Sequence, residues 1–183
     1  GRNGVAILTR TPPQRIATLD GKATVVSPDG MATALQAETV TNRDLTSFAH
    51  EGRYIEVDLA DAPVRVASLY LPKGAVPEHH ARKPEDANTP KYERKMKFMA
   101  GLSRHLDRVR KETAALGREY VIVGDFNIAN TQHDLKNWRS NQRTDGFLPE
   151  ERDWLTQQLG PRTLVDVVRA HHPDQDGPYS WWS

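Results

Sequence analysis

The chain has 183 residues, 37% of them hydrophobic and 27% charged, enough for one domain with a real core. Its mean hydropathy of −0.68 and the lack of any apolar run near the ~20 residues of a membrane span exclude a membrane protein built on helices. There is no cysteine, which excludes disulfides and thiolate-bound metal, and the net charge of +1 leaves any nucleic-acid affinity to local patches.

Residues 5–9 (Val-Ala-Ile-Leu-Thr) predict a core strand, ended by Pro12-Pro13 because consecutive prolines cannot continue a ladder. From 15 to 50 the apolar period is weak. Ser27-Pro28-Asp29-Gly30 is a turn, residues 32–38 predict a short helix, and the rest reads as loop. Residues 54–59 set Ile55, Val57 and Leu59 against Glu56 and Asp58, the alternation of a half-buried strand. After Asp61-Ala62-Pro63 a second strand places Val64, Val66, Ser68 and Tyr70 on one face.

Residues 75–90 form a polar, proline-studded surface loop holding His79-His80. Adjacent histidines diverge on a strand and are usually solvated in a loop, so the solvated reading is preferred to a metal site. A long helix follows, with Thr89 as N-cap and Pro90 at its first position. Tyr92, Met96, Met99, Leu102, Leu106, Val109 and Thr113 make its apolar stripe, and Arg94, Lys95, Lys97, Arg104, Arg108 and Arg110 take the other faces. Gly117 is its stop.

Tyr120, Val121, Ile122 and Val123, closed by Gly124, read as a buried parallel strand. The carboxyl ends of such strands are where ligands of open α/β sheets collect, and Asp125 stands there. In extended chain Asp125 and Asn127 share a face. A carboxylate beside an amide suits phosphodiester hydrolysis, one activating water and the other orienting it or a phosphoryl oxygen. Gly-Asp-Phe-Asn as a turn is the competing reading.

The loop that follows mixes Lys136, Arg139 and Arg143 with Asn137, Trp138 and Asn141. It offers phosphate-seeking cations, amide donors and a stacking ring, against the alternative of a polar surface loop. Pro149-Glu150-Glu151 opens another helix with acidic residues placed for the helix dipole, Leu155 and Leu159 facing the core and Gly160 at its end. Asp166 reads as a structural hydrogen-bonding residue, and His171-His172 begin a surface turn. Tyr179, Trp181 and Trp182 form an aromatic run that is either a core strand or the lining of a pocket.

Three motifs in order, Gly124-Asp125-Phe126-Asn127-Ile128-Ala129, Asp134-Leu135-Lys136-Asn137 and Gly146-Phe147-Leu148-Pro149-Glu150-Glu151-Arg152, resemble the exodeoxyribonuclease III family of abasic-site endonucleases. The family sits in the endonuclease/exonuclease/phosphatase superfamily. The resemblance runs from Gly4 to Trp182. It implies an α/β fold of two sheets flanked by helices, like deoxyribonuclease I, with the 183 residues part of a single catalytic domain. Members carry further catalytic residues on both sides of the equivalent region, among them a metal-binding Glu, so the chain reads as an excerpt of a longer enzyme. Alone, it is expected to expose sheet edges and lose solubility and activity.

What the resemblance implies for the site is specific. Asp125 activates the attacking water, Asn127 orients it or the phosphate, and Tyr70, in a Tyr-Leu-Pro-Lys-Gly run similar to the family's Tyr-x-Pro-Asn-Gly loop, reaches the scissile phosphate. Lys73 replaces the usual Asn or Gln and keeps a donor for phosphate. Lys136, Asn137, Trp138 and Asn141 belong to the DNA-contacting loop, and Trp182 lines the pocket for the extruded sugar. Asp125 and Asn127 are the metal ligands within the chain, with Mg²⁺ the expected ion and Mn²⁺ its alternative. The expected substrate is duplex DNA with abasic sites or 3′ ends, cut by a monomer in a bacterial cytoplasm with no membrane partner. The alternatives are another superfamily phosphodiesterase, acting on RNA, phosphoinositide or sphingomyelin, and a catalytically silent DNA-binding relative.

Overall fold

A computed structural model describes residues 3–40 and 42–180. They form two compact units: residues 1–71 with 100–126, and residues 72–99 with 127–183. The expected mixed α/β fold with two sheets is present.

The first unit holds both sheets. The larger runs in the order β4-β1-β5-β6-β7, where β1 is Arg15–Thr18, β4 Glu38–Thr39, β5 Tyr54–Asp58, β6 Val64–Tyr70 and β7 Glu119–Asp125. β5 pairs antiparallel with β1 and β6, while β7 pairs parallel with β6 from Val64↔Glu119 to Tyr70↔Asp125. The smaller sheet is a hairpin of β2 (Lys22–Val26) and β3 (Ala32–Gln36).

That hairpin corrects two sequence expectations, since residues 15–50 contain four strands and residues 32–36 are strand rather than helix. The physical reason is exposure: β3 is exposed throughout and β2 nearly so, so neither carries the alternation that a buried face imposes. The Ser27–Gly30 turn joins them as expected, with the Gly30 amide donating to the Ser27 carbonyl at 2.8 Å. Residues 5–9 are not a core strand. They pair with no strand among the described residues, and Leu8 is 94% exposed.

β5 does not keep the expected alternation. Val57 is buried as expected, but so are Glu56 and Asp58, while Ile55 and Leu59 are only half-buried. Arg65 of β6 and His105 of the long helix bury with them, so charge on this face is paired rather than solvated.

Helix α1 (Thr89–Ala115) has the predicted apolar stripe, with Met99, Leu102, Leu106 and Val109 almost wholly buried. Its start lies one residue early, because Asn88 rather than Thr89 caps it: the Lys91 amide donates to Asn88 Oδ1 at 3.1 Å. Its end is a Schellman turn at Gly117 (φ 62°), in which the Arg118 amide reaches the Thr113 carbonyl and that of Gly117 the Ala114 carbonyl. Lys95, expected on a solvent face, is fully buried.

The second unit carries α2 (Trp138–Asn141), α3 (Pro149–Gln158) and α4 (Val167–His171). Its buried apolar residues include Phe98, Met99, Ile128, Ala129, Leu135, Phe147, Leu148 and Trp154. On α3 the deep anchors are Trp154, whose indole N–H donates to the Met99 carbonyl at 3.1 Å, and Glu151. Leu155 and Leu159, expected to face the core, are half-buried. Asp166 caps α4 by accepting from the Arg169 amide at 2.9 Å, the structural role expected of it.

Candidate active site and its supporting ion pairs

β7 ends at Asp125, and the parallel register sets Asp125 beside Tyr70 at the end of β6. The Leu71 amide donates to the Asp125 carbonyl at 2.8 Å, extending the pairing by one bond. Asp125 is exposed and Tyr70 half-buried. β7 is a parallel strand as expected, but not a buried one: it is the last strand of its sheet among the described residues, and Val121 and Val123 are 43% and 50% exposed.

Gly124 explains how the two strand ends come so close. Its φ is 128°, and a Cβ there would lie 2.0 Å from the Leu69 carbonyl oxygen. The absent side chain admits the neighbouring strand. Arg53, which stands outside every motif of the sequence, lies with its guanidinium 5.0 Å from the centre of the Tyr70 ring and donates to the Tyr70 carbonyl at 3.2 Å. Its place just before β5 is the one signal the sequence offers for it.

In the same unit, Glu56 accepts from Tyr54 Oη at 2.6 Å and from Arg15 Nη1 at 2.8 Å, with His105 Nε2 at 3.3 Å. Burial opposes the charge on Glu56, but the bonds from His105, Tyr54 and Arg15 prevail and hold its carboxyl down at about 2. Burial pushes the phenols of Tyr54 and Tyr120 up, and their hydroxyls meet at 3.1 Å. Arg65 grips Asp58 through Nε at 2.5 Å and Nη2 at 3.0 Å. These groups are satisfied internally and serve to hold β5, β6 and α1 in place.

In the second unit Asn127 is not in extended chain, contrary to expectation. Its φ is 49°, a left-handed conformation, so period two does not continue past Asp125. The Asn127 carbonyl accepts from Lys95 Nζ at 2.9 Å. Lys95 also donates to Glu151 Oε1 at 2.7 Å, and both side chains are fully buried. The other oxygen of Glu151 accepts from the amides of Gly146 at 2.6 Å and Leu148 at 3.2 Å. Burial pushes the Glu151 carboxyl up, against the pull of Lys95 and these two amides.

One ion pair therefore ties together α1, the backbone of Asn127 and the Gly146–Glu151 segment. Gly74 (φ 80°) passes over it, where a Cβ would meet Lys95 Cδ at 2.6 Å. Lys73, beside it, is exposed. Lys95 is hard to single out in the sequence because a lysine among many basic helix positions reads as solvated, although it stands four residues before Met99 on the buried stripe. Glu151 does more than complement the helix dipole, the role its position in the sequence implies.

The basic loop divides by role. Asp134, buried, accepts from the Thr131 amide at 2.8 Å and its hydroxyl at 2.7 Å, and Leu135 packs with Ala129 and Phe147. Lys136 and Asn137 are exposed. Trp138 is half-buried against that cluster, with the Arg139 guanidinium 5.5 Å from its ring. Asn141 is half-buried and donates to the Asn137 carbonyl at 2.8 Å. Trp182 lies outside the described residues.

Two kinds of cation donor are present. Asp125 offers an exposed carboxylate, a hard oxygen donor whose chemistry fits Mg²⁺ or Mn²⁺. The other is a cluster of His79, His80 and Glu150, whose ligand atoms lie within 4.8 Å of one another. No helix among the described residues is long and apolar enough to cross a membrane.

Comparison with known proteins gives this geometry a family. The endonuclease/exonuclease/phosphatase family model matches residues 1–183. Similar sequences include an exodeoxyribonuclease of Bacillus subtilis, 41% identical over 63 residues, which is 34% of this chain and 25% of that protein. The DNA repair nuclease APEX1 of Danio rerio is also 41% identical over 63 residues, 34% of this chain and 20% of its own length. Two solved structures share the fold at a TM-score of 0.55: a 3′ phosphatase, NExo, from Neisseria bound to a product DNA hairpin (23% identity) and an AP endonuclease from Archaeoglobus fulgidus (22%). Each comparison covers 85% of this chain and 56% of the other, so the chain spans a little over half of either structure. The chain belongs to the endonuclease/exonuclease/phosphatase family.

Proposed function

We propose that the chain is part of the catalytic domain of a DNA-repair nuclease that hydrolyses the phosphodiester 5′ to abasic sites in duplex DNA and also trims 3′ ends. The observation that carries this reading is its likeness to an exodeoxyribonuclease and to a DNA repair nuclease, each over 63 residues at 41% identity. Supporting it is an exposed carboxylate, Asp125, set beside Tyr70 at the carboxyl end of a parallel strand pair.

In this reading Asp125 takes the proton of the attacking water, and Asn127 orients that water or a phosphoryl oxygen. Tyr70, under the Arg53 guanidinium, donates to the phosphate. Bound Mg²⁺ or Mn²⁺ would supply neutralisation of charge developing on the phosphoryl oxygens. Lys73 and Lys136 neutralise flanking phosphates, Asn137 and Asn141 contact the backbone, and Trp138 stacks in the loop. Trp182 lines the sugar pocket, where an abasic nucleotide is extruded at low cost. The enzyme acts as a monomer in the cytoplasm.

The test is incision of a duplex carrying one abasic-site analogue by the full-length enzyme of which the chain is part, with Mg²⁺, with EDTA and with Asp125→Ala. Cutting on the 5′ side should require metal and fall by about 10²–10⁴-fold in the variant. A second duplex ending in a 3′-phosphate reads the trimming activity. A folded protein that cuts neither duplex, or a variant that cuts as well as the parent, would overturn the assignment.

A further inference from the structure

We propose that His79, His80 and Glu150 form a Zn²⁺ site that fastens the loop 75–88 to the first turn of α3. Adjacent histidines ordinarily diverge, but here the chain turns at them. The amides of His80 and Ala81 both donate to the Pro77 carbonyl at 3.0 Å, a tight turn that brings the two rings to 4.6 Å between centres. Glu150, on α3, meets both: His80 Nε2 lies 2.9 and 3.0 Å from its two carboxylate oxygens, and His79 Nε2 lies 3.6 Å from Oε1.

The separations suit a tetrahedral ion. Zinc bound at about 2.0–2.1 Å by nitrogen and oxygen holds its ligand atoms roughly 3.3 Å apart. The nitrogen-to-carboxylate separations of 2.9 to 3.6 Å bracket that value, and all the ligand atoms lie within 4.8 Å of one another, within reach of side-chain rotation. Two imidazoles and one carboxylate are the donor chemistry of zinc rather than magnesium, which prefers oxygen alone. His79 is 61% exposed, leaving the fourth position to water.

The scaffold already holds two sides of the site. The Glu78 amide donates to Thr89 Oγ1 at 3.3 Å and that of Asn88 to the Val76 carbonyl at 2.8 Å, tying the loop to the start of α1. The rings of Tyr92 and His79 stand nearly perpendicular, 6.1 Å between centres. Glu150 is followed directly by Glu151, whose carboxylate is fixed by Lys95. A cation here closes a long loop onto a rigid turn, and the inference stands whether or not the nuclease reading does.

The protein is stripped of metal with a chelator and titrated with Zn²⁺ against a chromophoric competitor, with millimolar Mg²⁺ present throughout. One Zn²⁺ per chain should bind. Co²⁺ in its place should give the intense visible absorption of a tetrahedral site. His80→Ala and Glu150→Gln should each weaken Zn²⁺ by about tenfold or more. So should His79→Gln, a change at an exposed side chain that leaves the fold intact, as circular dichroism would verify. His171→Ala/His172→Ala, removing the other histidine pair, should change nothing. Absence of stoichiometric binding, binding abolished by Mg²⁺, affinity unmoved by His79→Gln, or loss with the His171/His172 variant would each overturn the site.

Discussion

Glu151→Gln is the most informative single perturbation of the second unit. It keeps an oxygen for the Gly146 and Leu148 amides but leaves the Lys95 ammonium fully buried, with the Asn127 carbonyl and without the carboxylate at 2.7 Å. Removing one partner of a buried pair costs about 3–5 kcal/mol, because the other charge stays desolvated. For a chain of this length that is a fall in Tm of roughly 10 °C. Adding Lys95→Met removes the stranded charge with little change in volume, so the double variant should recover at least about 2 kcal/mol of the loss. By contrast, Lys95→Met/Glu151→Met orphans two amides at about 1–3 kcal/mol each and should stay less stable than Lys95→Met/Glu151→Gln. The assay is urea unfolding followed by Trp fluorescence, since Trp154 reports on the second unit. The reasoning is refuted if Glu151→Gln costs under about 1 kcal/mol, or if Lys95→Met deepens the loss instead of relieving it.

Two further outcomes are expected from the first unit. Glu56 has a folded value of about 2 against an ordinary 4.5, so its contribution is present above pH 4.5 and is lost as pH falls through 2. The difference amounts to about 3 kcal/mol, and Glu56→Gln should flatten the acid limb of stability measured by urea unfolding from pH 7 to pH 2.5. An unchanged acid limb would refute this. Gly124→Ala forces a Cβ onto the Leu69 carbonyl oxygen at a φ of 128°. It should cost about 3 kcal/mol and speed amide exchange of Leu71, whose N–H binds the Asp125 carbonyl. A variant as stable as the parent, with Leu71 equally protected, would show that the strands need not approach so closely.

Local chemistry makes much of this protein legible in its sequence. The α1 stripe, the Gly117 stop, the Ser27–Gly30 turn and the parallel strand ending at Asp125 each follow from periodicity, backbone freedom or turn propensity, which act over a few residues. The motifs carry the family, and with it the fold. The β2–β3 hairpin is not legible because nothing buries it, and a strand without a buried face leaves no hydrophobic alternation.

What only the tertiary structure decided is which charges are inside. Glu56, Asp58 and Lys95 read as solvent-facing in sequence, because charge on a strand or helix normally is. They are buried, together with Arg65, His105 and Glu151, because a partner on another element satisfies each: Lys95 with Glu151, His105 with Glu56 and Arg65 with Asp58. The same holds for His79 and His80, whose meeting with Glu150 depends on a turn and on a helix that begins some 70 residues later. Sequence patterns encode which elements form, since those forces are local. The pairing of buried charge depends on contacts between elements, so it becomes visible only once they are packed.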